Sequence, residues 1–198
     1  MTKALVSPRR AVGFAVLGLL GACASLPPVP EARLPEASGG GQLLDPARQA
    51  ILHASSAFGS AAPMAGRPWE AAQAISEAEF LAVELRHNSR WTEMPAIVSV
   101  SFEQARPEWR AALGIDPAAS AQSVIDAMTR VRLAFGAQDP VAAGAALGQA
   151  PFGLGGPQTL DRLSALPALP RTAQATSLAE RGLWSMQRRD GRSLGILQ

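Results

Sequence analysis

Apolar positions recur at helical spacing along two long stretches of the chain. In one, Ala71, Ile75, Ala78, Ala82 and Leu85 follow each other at three- and four-residue steps, with Leu81 beside them. In the other, Ala121, Val124, Met128, Val131 and Phe135 do the same. Such steps gather side chains on one face of an α-helix, so both stretches predict core-facing helices of a bundle. Asp45-Pro46, Asp116-Pro117 and Asp139-Pro140 each set a capping acceptor before a proline at a first helical position. Arg67-Pro68 and Arg106-Pro107 are less ideal starts, and Gly59, Gly114 and Gly136 stand where helices would stop. These signals predict helices over 46–58, 68–88, 95–105, 107–113, 117–135, 140–147, 157–165 and 171–189. Residues 96–102 (AIVSVSF) alternate enough to suit a strand. No partner strand is evident, and a lone strand leaves its backbone unsatisfied, so a helix is expected there. The Gly- and Pro-rich region 148–171 reads as irregular, wrapping the bundle or joining its last helix. The Asp-Pro starts are unevenly spaced, which argues against a solenoid repeat.

The N-terminus follows a different pattern. Residues 1–10 carry Lys3, Arg9 and Arg10 and no acid, and residues 11–22 (AVGFAVLGLLGA) are uncharged and mostly apolar. A basic start, a short apolar core and small residues at its end have the layout of a secretory signal, with the basic end held on the cytoplasmic side. As a helix the apolar segment would reach about 18 Å. A bilayer core needs roughly 20 residues, so a permanent span is disfavoured. Leu20, Gly21 and Ala22 then lead into Cys23, the single cysteine of the chain.

This run resembles the lipobox of bacterial lipoproteins. The resemblance covers residues 1–23 well, the following Pro/Gly-rich segment loosely, and none of the rest. It implies that the Cys23 sulfur takes a diacylglyceryl group, that the signal 1–22 is cut away, and that the new amine is acylated. Each buried methylene contributes roughly 0.8 kcal/mol and one chain anchors only marginally, which accounts for two or three. A lone thiol in an exported protein would otherwise stay free or pair between molecules. Ala24, in place of the aspartate that retains enterobacterial lipoproteins, implies an outer-membrane address facing the periplasm. Residues 23–44 form the expected tether, stiffened by Pro27, Pro28, Pro30 and Pro35 and loosened by Gly39, Gly40 and Gly41. As a coil it would span on the order of 25 Å, and extended about 65 Å. Residues 45–198 are expected to form one helical domain, large enough to be stable without disulfides.

The whole chain carries a formal net charge of +2 from 18 basic and 16 acidic residues. Three of the basic residues lie in the signal, so the remainder has 15 arginines, no lysine and a net charge of −1. That balance leaves a nucleic-acid partner without support from charge, and none is expected. The charge is uneven: residues 157–198 hold six arginines against three acids. Arg181, Arg188, Arg189 and Arg192 could meet anionic headgroups or an acidic partner, or simply be a solvated last helix with cations near its C-terminal dipole. Tyrosine is absent and β-branched residues are sparse, while alanine is abundant, which favours helix over sheet. The expected fold is therefore all-α, an irregular bundle of about four main helices with extra short ones.

Catalytic and metal patterns are incomplete. Glu84-x-x-His87 has the spacing with which di-iron bundles grip a metal from one helix face, but the only other histidine, His53, has Ala50 three residues before it. Glu70, Glu77 and Glu84, with Glu79 near, read as the wet side of the second helix. His53 and His87 together are too few ligands for structural zinc. No Gly-x-Ser-x-Gly turn is present. Ser55 and Ser56 follow His53 without an orienting group, and Gly153-Leu154-Gly155-Gly156 lacks both dinucleotide spacing and a Walker lysine. No cofactor or metal is expected. Trp69, Trp91, Trp109 and Trp184 fall near helix ends, where indoles seal small bundles by bonding to loop carbonyls. Arginine-flanked tryptophans also serve as partner hot spots. The candidate partner contacts are Trp91, Trp109, Arg188 and Arg189.

The function expected from these features is a non-catalytic, membrane-tethered module that binds another envelope component, protein or cell wall. The alternative is a carrier holding a small molecule or lipid between helices, for which a cavity of about 300 Å³ or more is needed. An enzyme is the third reading; Glu84, His87 and His53 would be its groups.

Overall fold

The computed structural model describes residues 29–35, 45–60 and 62–195, with the backbone alone from residue 190. The lipobox-like run and Cys23 lie outside the described residues. Among the described residues seven α-helices follow in order: α1 (Pro46–Gly59), α2 (Pro68–His87), α3 (Ala96–Leu113), α4 (Ala121–Gly136), α5 (Pro140–Ala146), α6 (Gly156–Ser164) and α7 (Pro170–Gly195). A single 3-10 turn, Ser89–Trp91, links α2 to α3. Among the described residues the only β pairing is an isolated bridge between Ile115 and Phe152. The fold is all-α, and residues 96–102 are helical as expected.

Two expected helix starts are displaced. Asp116-Pro117 opens a turn, with the Asp116 carboxylate accepting from the Ala118 N–H at 2.8 Å. The carbonyls of Asp116, Pro117 and Ala119 accept from the Arg110 guanidinium at 3.0–3.1 Å, and this side chain occupies acceptors that a helix would use. The helix starts a turn later, where Ser120 accepts from the Ser123 N–H. Arg106-Pro107 starts nothing, because α3 runs through Pro107. An internal proline removes one helical hydrogen bond and crowds the preceding turn, at a cost of about 3 kcal/mol. The contacts of Arg106, Trp109 and Arg110 described below require one unbroken helix face across it. Asp45 and Asp139 do cap α1 and α5, accepting from the N–H groups of Ala47 and Ala142.

Helix directions follow from side-chain pairs. Arg90, just beyond the end of α2, reaches Asp45 at the start of α1 at 3.0 Å. Glu79 on α2 meets Arg110 on α3, and Arg86 meets Glu103. Glu108 near the end of α3 accepts from the backbone of Thr172 at the start of α7, and Gly182 of α7 lies against Met94. Ser55 of α1 donates to Glu180 of α7. Hence α1, α2, α3 and α7 form a closed up-down-up-down ring in which each helix packs on two neighbours. Helix α4 lies outside the ring, antiparallel along α2, with the Phe135 ring near its end 5.6 Å from that of Trp69 at the start of α2. Helices α5 and α6 continue the outer layer, and α6 returns to α2.

Helix α2 is thereby enclosed by α1, α3, α4 and α6. Fourteen of its twenty residues are buried, Glu77 and Glu79 among them. The expected wet side survives only as a half-buried stripe, Glu70, Gln73 and Glu84, along the contact with α1, while Glu77 within it and Glu79 beside it are buried; α4 covers a further face of the helix. Five of the buried positions on α2 are alanines, which let helix axes approach closely.

Residues 29–35, expected as part of a free tether, are extended against the domain. The Arg33 N–H donates to Gln122 Oε1 at 2.8 Å and Gln122 Nε2 donates back to the Arg33 carbonyl at 3.2 Å. Ala32 and Leu34 pack on the core. At the other end of the molecule α5 and α6 cross closely at Gly156, where an added Cβ would stand 2.1 Å from the Gly144 carbonyl oxygen. We expect Gly156→Ala to cost about 1–3 kcal/mol, because backbone must move. Gly144→Ala, with open space at its Cβ, should instead raise stability by up to about 1 kcal/mol. Urea midpoints of the two variants check the contrast.

Candidate functional site

The most concentrated chemistry lies on α2. Glu79 is fully buried. Its carboxylate accepts from Arg110 Nε at 2.7 Å and Nη2 at 2.8 Å, from Arg106 Nη2 at 2.7 Å and Nε at 3.1 Å, and from the Trp109 indole N–H at 3.0 Å. The three donors stand at helical steps of three and four on α3, so one face presents them all. The paired contact from Arg110 matches the two carboxylate oxygens, and its remaining N–H groups go to the 116–119 turn. With every lone-pair direction occupied, Glu79 has no capacity left for substrate or metal. It serves to join α2, α3 and the start of α4.

A second cluster sits nearer the start of α2. His53 of α1 contacts Glu77 through Nδ1 and Glu70 through Nε2, the latter at 2.9 Å. Gln73 Nε2 holds the other Glu77 oxygen at 3.0 Å. Positions 70, 73 and 77 share one face of α2. The hydrogen bond from Glu77 outweighs partial burial and raises the His53 pKa from 6.5 to about 9, with Glu70 adding to the effect. At neutral pH His53 is an imidazolium with both N–H groups bound, so neither nitrogen is available as a base or ligand.

The remaining sequence candidates are dispersed. Glu84 Oε1 accepts from Arg90 Nε at 2.9 Å, from the Trp91 indole at 3.0 Å and from Asn88 at 3.1 Å. His87 is exposed one turn further on. His53 and His87 are not brought together, since His87 lies ten residues beyond Glu77 on α2, about 15 Å along the axis. Ser55 bonds to Glu180, not to His53. Among the described residues no group of three His, Cys, Asp or Glu side chains is placed to hold a metal ion.

The tryptophans correct another expectation. Trp91 and Trp109 are buried and present no contact surface, whereas Trp69 is 41% and Trp184 43% exposed. The two buried indoles do seal the bundle, but they donate to the carboxylates of Glu84 and Glu79 and not to loop carbonyls, and the Arg90 guanidinium covers the Trp91 ring at 4.7 Å. Arg188 and Arg189 are exposed on α7. Sequence reasoning missed Arg106 and Arg110. Their spacing with Trp109 was visible, but reading Pro107 as a helix start divided the face that unites them.

The exposed large apolar side chains are spread over the molecule, and two of them, Leu133 and Val141, lie on α4 and α5. An open groove of about 620 Å³ runs between them, walled by alanines that include Ala134, Ala142 and Ala146, with Arg130 and Asp139 on its rim. Beside it Leu133 is 63% and Val141 80% exposed. No helix among the described residues is long and apolar enough to cross a membrane. Comparison of the chain with family models, curated proteins and solved structures finds no match.

Replacing Glu79 by glutamine removes the charge that two buried arginine contacts need. Loss of one partner from a buried ion cluster costs about 3–5 kcal/mol, and Glu79→Gln should lower the urea midpoint accordingly. His53 gives a pH signature. Its folded pKa lies above its unfolded value, so its contribution is complete below about pH 6.5 and is lost as pH rises through about 9. The shift alone corresponds to about 3 kcal/mol. Partial exposure of the cluster reduces this to about 2 kcal/mol. Stability measured between pH 6 and 10 should therefore fall in the parent and stay flatter in His53→Gln.

Proposed function

We propose that the protein is a lipid-anchored lipoprotein of the cell envelope, whose helical domain binds another envelope component and performs no catalysis of its own. The observation that carries the reading is the run Leu20-Gly21-Ala22-Cys23 closing a basic-then-apolar N-terminus. The anchored face is the outer membrane's periplasmic side, as Ala24 implies by the resemblance. Two features of the domain support a binding role. The ionisable clusters at Glu79 and His53 are occupied by each other's side chains and act as joints between helices. The exposed Leu133 and Val141 stand beside an open groove, the kind of apolar surface that partner proteins cover.

A small-molecule carrier is the second reading, favoured by the volume of that alanine-walled groove, which falls in the range of ligand pockets. It differs in its observable: a carrier purified from the envelope brings a lipophilic molecule with it, whereas a partner-binding module yields a cross-link to a second component through Leu133 or Val141.

The anchor has a direct test. Mass spectrometry of the mature protein should find an N-terminus at Cys23 bearing two or three acyl chains, and Cys23→Ser should leave the membrane fraction. A Cys23→Ser protein that sediments with membranes as fully as the parent would refute the reading.

A further inference from the structure

The chain that leads into the domain is held to it at one point. Residues 29–35 pass the first turn of α4 in extended form, with Ala32 and Leu34 half-buried on the core and Glu31, Arg33 and Pro35 exposed. The Gln122 amide takes both main-chain groups of Arg33: Oε1 accepts from its N–H at 2.8 Å, and Nε2 donates to its carbonyl at 3.2 Å. Asp126, one turn further along α4, accepts from the same Nε2 at 2.8 Å, which sets the amide with its oxygen toward the Arg33 N–H. The Arg33 side chain takes no part in this. It is 84% exposed, and its ion pair is with Glu31 of the same segment, at 3.4 Å.

This attachment is slight. Among the described residues no backbone–backbone hydrogen bond reaches 29–35. Val29, where the described segment starts, is 64% exposed. The two exposed hydrogen bonds contribute little net, because water replaces them on release. Half-burial of one leucine and one alanine adds a modest apolar gain. Against these stands the backbone entropy of seven ordered residues, reduced at Pro30 and Pro35, whose φ is already fixed. The opposing contributions are similar in size, so the docked and released forms lie near balance. Release also leaves the helical packing in place, since the ion clusters at Glu79, His53 and Glu84 involve no residue of this segment.

We propose that residues 29–35 are a releasable strap, latched by Gln122, that sets how far the domain stands from its point of attachment. The latch stands on the contacts just described, and the attachment rests on the lipid-anchored reading. With the strap docked, Cys23 and Arg33 are ten residues apart, a contour of about 30 Å. With the strap released, the whole of residues 24–44 spans the gap to Asp45, a contour of about 65 Å. The available length roughly doubles without any change in the helical domain. A load that draws the domain outward favours release, because only the released strap supplies that length.

Amide hydrogen exchange at residue 33, followed by NMR on the full-length protein in detergent micelles, reads the latch. The expected result is measurable protection that falls far short of the α2 amides, which exchange by global opening. Gln122→Ala removes both bonds and should lower the docked-to-released ratio on the order of tenfold. Arg33→Ala keeps the main-chain groups and should leave protection at residue 33 unchanged. An unprotected amide at residue 33 overturns the docked form, protection equal to that of α2 overturns release, and loss of protection in Arg33→Ala overturns the main-chain latch. Neutron reflectometry of the acylated protein on a supported bilayer reads the reach. Gln122→Ala should move the domain outward by on the order of 10 Å, the difference between coils of the docked and released lengths. An unchanged position overturns the role in reach. A protein that does not associate with the bilayer refutes the lipid-anchored reading and the reach with it, while exchange at residue 33 decides the latch independently.

Discussion

A carboxylate buried at the centre of α2 is tolerable only if its charge is matched and its oxygens are filled. Glu79 meets both conditions through two arginines and an indole from α3. Much else depends on this constraint. Arg106, Trp109 and Arg110 must share a helix face, so α3 continues through Pro107. Arg110 then has N–H groups left over, and these hold the carbonyls of 116–119 out of helical pairing. The start of α4 is displaced as a result, and α4 covers a further face of α2. Replacing such an ion cluster with apolar side chains is often neutral or stabilising in other proteins. Its contribution here is positional: it sets which residues of α2, α3 and the following turn meet.

The His53 cluster acts in the same way between α1 and α2, with one difference. It lies near the surface, where water screens the pair. Its imidazolium has both N–H groups on carboxylates, so a histidine that looks chemically promising in the sequence is a joint in the fold. Glu84 is similarly absorbed by Arg90, Trp91 and Asn88. Of the groups that a search for catalysis would nominate, His53 and Glu84 are thus engaged in holding helices together, while His87 is exposed.

The geometry also bears on the proposed attachment. A long flexible tether would let the domain sample many orientations. Docking of residues 29–35 on α4 leaves less free chain between the domain and the proposed attachment point, and so narrows the orientations open to it.

How much was legible in the sequence depends on the range of the interaction. Helix type and most boundaries are local: Asp45-Pro46 and Asp139-Pro140 cap where expected, and the stripes on α2 and α4 face the core. The short helical segment 96–102 was readable because an unpaired strand has no place for its backbone groups. The burial of Glu77 and Glu79, the continuity of α3, and the exchange of roles between Trp109 and Trp184 needed the fold. Each depends on which helix lies across from which, a matter of contacts between residues far apart in the chain. One amphipathic stripe shows that a helix has a buried side, but it cannot tell whether a further helix will cover the other; that was decided only when α4 packed against α2.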